Sequence, residues 1–378
     1  MGLGTNTSKY PSTLSLFLAG DVMTGRGIDQ ILAHPSPPCL REKYVHDALE
    51  YVRLAERRNG PITRPVPFTY VWGDLLDELE ERRPDVRLVN LETAITRSDA
   101  AMAKGINYRM NPANIGVLTA ARIDACALAN NHVMDWGAEG LLETLSTLHR
   151  AAIVTAGAGR NREEATRPAI VPIAGKGRVL LLSLGLTSSG IPEGWAARPD
   201  GPGVNLASGS VEEIVADVAA ALAPIRQVRD VVVASIHWGA NWGYETTPDE
   251  RALAHALIDR AGVDVVHGHS SHHPRGIEAH RGRLILYGCG DLVNDYEGIS
   301  GYEEFRGELT IACFACVSAL DGTLSRLDLV PFRIQRMRLH RAGDAECRWL
   351  ASRLTDVCET FRTSLSCEEG NVLSLSWR

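Results

Sequence analysis

The sequence predicts a layered α/β domain whose sheets mix parallel and antiparallel strands. Strand-like and helix-like segments alternate from residue 14 to about residue 275, a pattern typical of helices packed against sheets. The strand-like segments lack a regular alternation of apolar and polar residues, which indicates sheets covered on both faces. Two later segments joined by Asp321-Gly322 carry a hairpin signal, so antiparallel strands are expected as well.

Short apolar runs that end in polar or turn residues predict buried strands. The expected strands are Leu14–Ala19, Val86–Leu91, Ala125–Ala129, Val179–Leu184, Val231–Ile236, Val263–Val266, Leu284–Tyr287, Glu308–Val317 and Leu324–Phe332.

Apolar residues that recur at helical spacing predict the helices. The expected helices are Lys43–Arg58, Trp72–Arg83, Pro112–Ala121, Gly137–Arg150, Val211–Ile225, Asp249–Ala261 and residues 344–363. One face of the fourth helix is expected to carry Leu141, Leu142, Leu145 and Leu148.

One domain is favoured over two, because no low-complexity linker and no fixed-period repeat interrupts the chain. We expect a polar leader at residues 1–12, a main domain at residues 13–340, and a C-terminal helix followed by a tail at residues 341–378.

The charge of the chain argues against a nucleic-acid partner. The formal net charge is -7 at pH 7 and no long basic run is present, whereas nucleic-acid binders carry a basic patch. In the densest arginine segment, residues 333–341, the arginines alternate with apolar residues as on the polar face of a strand.

The chain is expected to be cytoplasmic and to have no membrane span. The first apolar run, Leu14–Ala19, is too short to cross a bilayer and lacks the basic region of a signal peptide. Several of the eight cysteines lie inside apolar strand segments, including the lone CxxC of Cys313 and Cys316. Free buried cysteines without a signal peptide are typical of a reducing compartment.

Residues able to bind metal ions follow the expected strands. Because ligands bind beyond the carboxyl ends of strands in open α/β sheets, these residues could converge on one site. The densest group is four histidines between positions 267 and 273. In chain order the candidates are Asp21, Glu92, Asn130, Asn131, His132, His237, His267, His269, His272, His273, Asp291 and Asn294.

A set of oxygen and nitrogen ligands without cysteine suits Mn²⁺, Zn²⁺ or iron. One or two such divalent ions activate water and neutralise charge on the oxygens of the substrate. Taken alone, Asp21 could cap a helix and Asn130 could stand in a turn. Their joint occurrence after successive strands favours a metal-dependent hydrolase. Trp238 could line the pocket, although tryptophan is more often simply buried.

Segments around these residues resemble the capsule-biosynthesis protein CapA family, part of the calcineurin-like metallophosphoesterase superfamily. The resemblance spans about residues 14–295, and its most specific parts are the Asn-Asn-His block followed by Asp-x-Gly and the later His-Gly-His block. The matching segments are Ala19–Arg26, Asn90–Thr93, Ala129–Gly137, Gly157–Gly159 with Glu164-Ala165, His237–Gly239, His267–His273 and Tyr287–Asp291.

The resemblance implies a four-layer αββα sandwich of two mixed sheets with a metal site at one edge. The implied metal ligands are Asp21, Glu92, Asn131, His237, His269 and His272, and His273 is an alternative in the last segment. The resemblance implies His132 as the general acid. Arg26 and Asp135 are the other expected catalytic residues, and Arg26 is expected to help position the substrate. The residues expected to contact substrate are Asn130, Trp238, Asp291 and Asn294.

The chain departs from the superfamily pattern in two places. The usual first motif is Asp-x-His, whereas this chain has Asp21-Val22-Met23 and lacks one ligand. In addition, Glu92 stands where the wider superfamily has Asp.

Three classes of function remain open. The first is a metal-dependent hydrolase of a small phosphoester or a γ-glutamyl-type amide. The second is a non-catalytic partner in poly-γ-glutamate capsule synthesis, which binds the polymer or its synthetase and is suggested by the missing motif histidine. The third is an amidohydrolase-type barrel, which expects His-x-His after its first strand, where this chain has Gly20-Asp21-Val22-Met23.

Overall fold

The computed structural model describes residues 13–377, so the polar leader expected at residues 1–12 lies outside the described residues. The strands, labelled in chain order, are β1 (Thr13–Val22), β2 (Val86–Leu91), β3 (Ala94–Ile95), β4 (Arg109–Met110), β5 (Ala125–Ala127), β6 (Val154–Ala156), β7 (Ala158–Gly159), β8 (Ala169–Ile173), β9 (Gly177–Gly185), β10 (Gly203–Val204), β11 (Asp230–His237), β12 (Val265–His269), β13 (Ile277–His280), β14 (Arg283–Leu286), β15 (Asp291–Val293), β16 (Leu309–Ser318), β17 (Leu324–Ile334), β18 (Leu339–Arg341), β19 (Thr363–Glu368) and β20 (Val372–Trp377).

The helices are α1 (Arg26–Ile31), α2 (Leu49–Asn59), α3 (Leu75–Arg82), α4 (Gly116–Ala120), α5 (Gly137–Arg150), α6 (Arg162–Thr166), α7 (Val211–Leu222), α8 (Pro248–Ala261) and α9 (Asp344–Cys358). Across residues 13–377, none of them combines the length and the apolar character needed to cross a membrane.

Two mixed sheets carry the fold. The larger has ten strands in the order β19-β20-β17-β16-β1-β2-β5-β6, with β15 beside β1 and β18 beside β17. The second has six strands in the order β13-β14-β12-β11-β9-β8. Strands β1, β2, β5 and β6 run parallel in the first sheet, as do β9, β11, β12 and β14 in the second.

The two sheets pack face to face between layers of helices, which confirms the predicted four-layer αββα sandwich. Alternate residues of β1 face opposite sides: Leu16 and Leu18 join the core between the sheets, whereas Phe17 joins the core under the first helical layer. Helices α7 and α8 cover the outer face of the second sheet, where Leu257 packs in the same core as Val232.

Helix boundaries and one helix face differ from the sequence-based expectation. Helix α2 begins at Leu49 rather than Lys43, and α3 begins at Leu75 rather than Trp72. On α5, Leu141 and Leu148 are buried, but Leu142 is 38% exposed. The reason is angular, because adjacent positions on a helix point about 100° apart.

The expected C-terminal tail contains regular structure. After α9, strands β19 and β20 form a hairpin that pairs with β17 at the edge of the larger sheet. Leu365, Leu373 and Leu375 alternate with serines and bury themselves in the core between the sheets. Alternation with period two therefore decides the structure of this segment.

Candidate metal centre

Strand ends from both sheets bring the candidate ligands together. Asp21 lies near the end of β1 and Glu92 directly follows β2 in the first sheet. His237 is the last residue of β11 and His269 the last residue of β12, which pair in parallel with His237 opposite His269. All four side chains are almost fully buried. The site thus lies where the carboxyl ends of parallel strands from the two sheets meet.

One group of potential ligand atoms comes from Asp21, His237 and His269, and these atoms lie within 4.8 Å of one another. The Nδ1 atoms of His237 and His269 are 2.8 Å apart. Nε2 of His237 is 3.2 Å from the Asn131 side-chain oxygen, and its Nδ1 is 3.9 Å from Glu92 Oε2. The predicted ligands Asp21, Glu92, Asn131, His237 and His269 are therefore close together.

A second group shares Asp21 and adds His272 and Asp291, again within 4.8 Å. His272 Nδ1 lies 2.9 Å from Asp291 Oδ1. Asn294 donates a hydrogen bond to the other Asp291 oxygen over 2.9 Å. The expected substrate contacts Asp291 and Asn294 thus lie beside the candidate ligands, with Asn294 holding Asp291.

Buried amides fix the two central carboxylates. Asn90 Nδ2 donates to Asp21 Oδ1 at 2.7 Å and to Glu92 Oε2 at 3.0 Å. Asn130 donates to the Asn90 side-chain oxygen at 3.0 Å and accepts from the backbone N–H of His132 and Val133. Because both polar atoms of the fully buried Asn130 are used, it supports the loop rather than contacting substrate as expected.

The electrostatics of the site fit a cation. Burial raises the pKa of Asp21 to about 7, with a further contribution from Asp291. Burial and the charge of Asp21 raise the pKa of Glu92 well above its usual value. Oδ2 of Asp21 is buried and makes no hydrogen bond within the described residues. Clustered buried carboxylates with an unpartnered oxygen are the environment that a divalent ion stabilises.

The histidines of the first group are suited to bind a cation as neutral ligands. Burial lowers the pKa of His237 well below its usual value, and it does the same for His269. A neutral imidazole keeps a nitrogen lone pair for a metal ion without first losing a proton. Ser235, which sequence reasoning missed, contacts Nε2 of His269 at 2.9 Å and so orients the ring.

His132 and Asp135 form a hydrogen-bonded pair at the edge of this centre. His132 Nδ1 lies 2.7 Å from Asp135 Oδ2, and His132 Nε2 lies 3.8 Å from Glu92 Oε1. Lys104 Nζ is 2.9 Å from Asp135 Oδ1 and also donates to the backbone oxygen of Asn131. Burial lowers the pKa of His132 to about 4, so its imidazole is neutral at pH 7.

Arg26 occupies a buried position behind the site rather than inside it. Its guanidinium pairs with Asp295 through Nε at 3.0 Å and with Glu42 through Nη1 at 3.0 Å. The rings of Tyr51 and Tyr108 lie 3.7 and 4.6 Å from its central carbon. Arg26, expected to be catalytic, thus has its guanidinium engaged with Glu42 and Asp295 in the wall of the site.

Trp238 and His273 also point away from the centre. Trp238 is fully buried and donates from Nε1 to the backbone oxygen of Tyr287 at 2.9 Å. It follows His237, and successive strand residues face opposite sides, so it packs in the outer core instead of lining the pocket. Both ring nitrogens of His273 contact backbone atoms, of Gly243 and Pro274, which leaves His269 and His272 facing the carboxylates.

Sequence reasoning missed three residues that shape the centre: Asn90, Lys104 and Ser235. Asn90 stands within a matching segment, two residues before Glu92, and the alternation of strand residues could have placed both on one face. Lys104 lies in an irregular loop, where spacing gives no directional signal.

The comparisons with known proteins show the family to which the chain is related. Residues 15–296 match the family described as bacterial capsule synthesis protein PGA_cap. The chain is 47% identical to a Mycobacterium tuberculosis protein described as a probable polyglutamine synthesis accessory protein, covering 97% of this chain and 96% of that protein. It is 24% identical to the capsule biosynthesis protein CapA of Bacillus anthracis, covering 85% of this chain and 68% of that protein.

Two further likenesses are more distant than the one to the Mycobacterium tuberculosis protein. The chain is 27% identical to the PGA biosynthesis protein CapA of Bacillus subtilis, over 75% of this chain and 63% of that protein. The crystal structure of a phosphatase from Mycoplasma pneumoniae covers 89% of this chain and 96% of its own, with a TM-score of 0.47 and 11% identity. The last likeness is too remote to bear on activity.

Proposed function

This chain belongs to the bacterial capsule synthesis protein family PGA_cap, and from that premise we propose that it is a metal-dependent hydrolase of a phosphoester or a γ-glutamyl-type amide. The observation that supports this most is the buried convergence of Asp21, Glu92, His237 and His269, with one Asp21 oxygen that has no hydrogen-bond partner among the described residues. A purely structural cluster is expected to satisfy such an atom.

The ligand roles follow from position and protonation. Asp21, His237 and His269 would hold an ion, with Glu92 and Asn131 near enough to complete its coordination. Such an ion, when bound, polarises a substrate oxygen and lowers the pKa of water. The donor set suits manganese, zinc and iron alike.

His132 would transfer a proton to the leaving group of the substrate during hydrolysis. Asp135 engages Nδ1 and thereby turns Nε2 toward Glu92 and the centre. As a neutral imidazole, His132 would accept at Nε2 a proton from the attacking water, and the resulting imidazolium would donate it to the leaving oxygen or nitrogen of the substrate. Lys104 holds Asp135 in place from the other side.

The test is hydrolysis by the purified full chain. Chelator-treated protein would be assayed with p-nitrophenyl phosphate, bis-p-nitrophenyl phosphate and γ-glutamyl-p-nitroanilide, before and after addition of Mn²⁺, Zn²⁺ or Fe²⁺. We expect one substrate class to be cleaved only with metal, and Asp21→Asn and His237→Ala to abolish cleavage. Glu193→Gln, at an exposed position, is the matched control. Metal-loaded protein that cleaves neither class would refute the proposal.

A second candidate is a non-catalytic accessory role in polymer synthesis. It is favoured by the description of the Mycobacterium tuberculosis relative as an accessory protein. The two candidates differ in their need for His132, which touches the centre but is not among the proposed ligands. If His132→Gln restores polymer production in a deletion strain as well as the unmodified gene does, the accessory role is supported and hydrolysis is not required.

A further inference from the structure

Strand β15 places a second buried carboxylate directly beside Asp21. Strands β1 and β15 pair in parallel, with Asp21 opposite Asp291. The Asp21 N–H donates to the Gly290 carbonyl at 3.0 Å, and Thr310 donates its hydroxyl to the Asp291 carbonyl. Asp291 is 2% exposed. The backbone thus fixes two acidic side chains as neighbours in a site closed to bulk water.

The neighbours of Asp291 orient one oxygen toward His272. Its Oδ2 accepts from Asn294 Nδ2, and the Asn294 side-chain oxygen in turn accepts from the Tyr296 N–H at 3.1 Å. This pair of bonds fixes the orientation of the Asn294 amide. The remaining oxygen, Oδ1, lies 2.9 Å from His272 Nδ1. Asn241 contacts the other ring nitrogen of His272 at 3.1 Å, so Nδ1 is the nitrogen that faces the carboxylates.

No arginine or lysine is hydrogen-bonded to Asp21 or Asp291 among the described residues. Arg26 is paired with Asp295 and Glu42, and Lys104 is paired with Asp135. Among the described residues, the two neighbouring buried carboxylates have no arginine or lysine partner, only His272 at 2.9 Å from Asp291, and Asp21 Oδ2 makes no hydrogen bond. A buried charge without compensation is costly, whereas a divalent ion compensates both carboxylates at once.

We propose that Asp291 is a metal ligand and that it forms, with Asp21 and His272, an ion position separate from that of His237 and His269. The ligand atoms of the three residues lie within 4.8 Å of one another. Adjacent ligands of an octahedral ion bound at about 2.1 Å lie roughly 3 Å apart, which is compatible with the 2.9 Å contact between His272 and Asp291. Asp21 is common to both groups, so it would bridge the two positions. The inference rests on the metal centre of the proposed function but does not depend on hydrolysis.

The experiment counts metal ions without measuring activity. The full chain and its variants would be loaded with Mn²⁺, desalted, and analysed by inductively coupled plasma mass spectrometry. We expect two equivalents in the unmodified protein, and one in both Asp291→Ala and His272→Ala. Asp29→Asn is the matched control, because Asp29 is an equally buried carboxylate outside both groups, and it should keep two equivalents.

A crystal of the unmodified chain soaked in Mn²⁺ provides a measurement that does not depend on the folding of a variant. An anomalous peak within about 2.2 Å of an Asp291 carboxylate oxygen is expected. One equivalent in the unmodified protein, with no peak at Asp291, would overturn this inference and leave the proposed hydrolase standing. Two equivalents retained by a folded Asp291→Ala variant would also overturn it. Absence of any bound metal would defeat both proposals.

Discussion

Of the two nitrogens of His132, only one faces the carboxylates, and that asymmetry determines what the residue can do. Nδ1 is engaged with Asp135, while Nε2 stands 3.8 Å from Glu92. The side chain of His132 is only 10% exposed, so its ring has little contact with bulk water and its free nitrogen faces the site. The residue therefore combines fixed orientation with access to the centre, as proton transfer requires.

Replacing His132 should separate chemistry from metal binding. For His132→Gln we expect kcat on the cleaved substrate to fall about 10²–10⁴-fold, the range for loss of a general acid or base. KM and metal content should stay close to those of the unmodified protein, since His132 is outside both ligand groups. Steady-state kinetics with mass-spectrometric metal analysis checks this. A variant that loses its metal would show instead that His132 is a ligand.

Arg26 is predicted to stabilise the fold rather than to catalyse. Arg26→Met would leave Glu42 and Asp295 buried without their partner, and breaking a buried ion pair in this way costs about 3–5 kcal/mol. Urea unfolding should measure this loss in the free energy of unfolding. At urea concentrations below the unfolding transition, the metal-loaded variant should keep its metal content. A change below about 1 kcal/mol, within the range of an exposed pair, would contradict the assignment.

At the scale of elements, strand ends were easier to predict than the directions of side chains. The apolar runs gave the positions of β1, β2 and β11, and hence the neighbourhood of Asp21, Glu92 and His237. The resemblance, and not the local pattern, supplied the two-sheet sandwich, because pairing between distant strands leaves no local signal. Strand β15 is only three residues long and follows a glycine turn, so the sequence indicated Asp291 as a site residue but not its parallel pairing opposite Asp21.

Side-chain direction explains which of the expected site residues turn away from the centre in the structure. Asn130 and Trp238 stand next to true neighbours of the centre, yet one turns its amide into the loop and the other packs in the outer core. A sequence pattern identifies the segment that reaches a site. Which residue of the segment points inward depends on strand twist and loop geometry, which only the folded chain determines.

The contact between α8 and β13 should make stability depend on pH. Glu278 accepts from Tyr287 at 2.7 Å and contacts His255 Nε2 at 3.0 Å. Burial favours a raised pKa, but these contacts outweigh it and lower the pKa of Glu278 below 4.5. A carboxylate whose pKa is lower in the folded state than in the unfolded state stabilises the fold at pH values above its pKa in the unfolded state. That stabilisation is lost as the pH falls through its pKa in the folded state.

The check is a comparison of Glu278→Gln with the unmodified chain by urea unfolding at several pH values. We expect the variant to be less stable above pH 4.5, and the difference to shrink as the solution is acidified below that value. Glu193→Gln, on an exposed 3₁₀ turn, should show little difference at any pH. A difference for Glu278→Gln that stays constant on acidification would show that the carboxylate charge is not the cause.

Across the whole molecule, the proposed ion joins the two sheets. Asp21 and Glu92 belong to the first sheet, whereas His237 and His269 belong to the second. An ion held from both sides can bind only while the sheets are packed together. Metal binding and the stability of the entire sandwich should therefore be linked, and an ion at 100 times its Kd should add about 2.7 kcal/mol.

Thermal unfolding of chelator-treated protein titrated with Mn²⁺ tests this linkage. The melting temperature should rise with Mn²⁺ concentration and fall again when EDTA is added. Unfolding should occur in a single transition, because loss of the ion destabilises both sheets together. Asp21→Asn, in the first sheet, and His237→Ala, in the second, should each remove the rise, whereas His132→Gln should keep it. If either ligand variant alone kept the full rise, the ion would be held by one sheet and would not join the two.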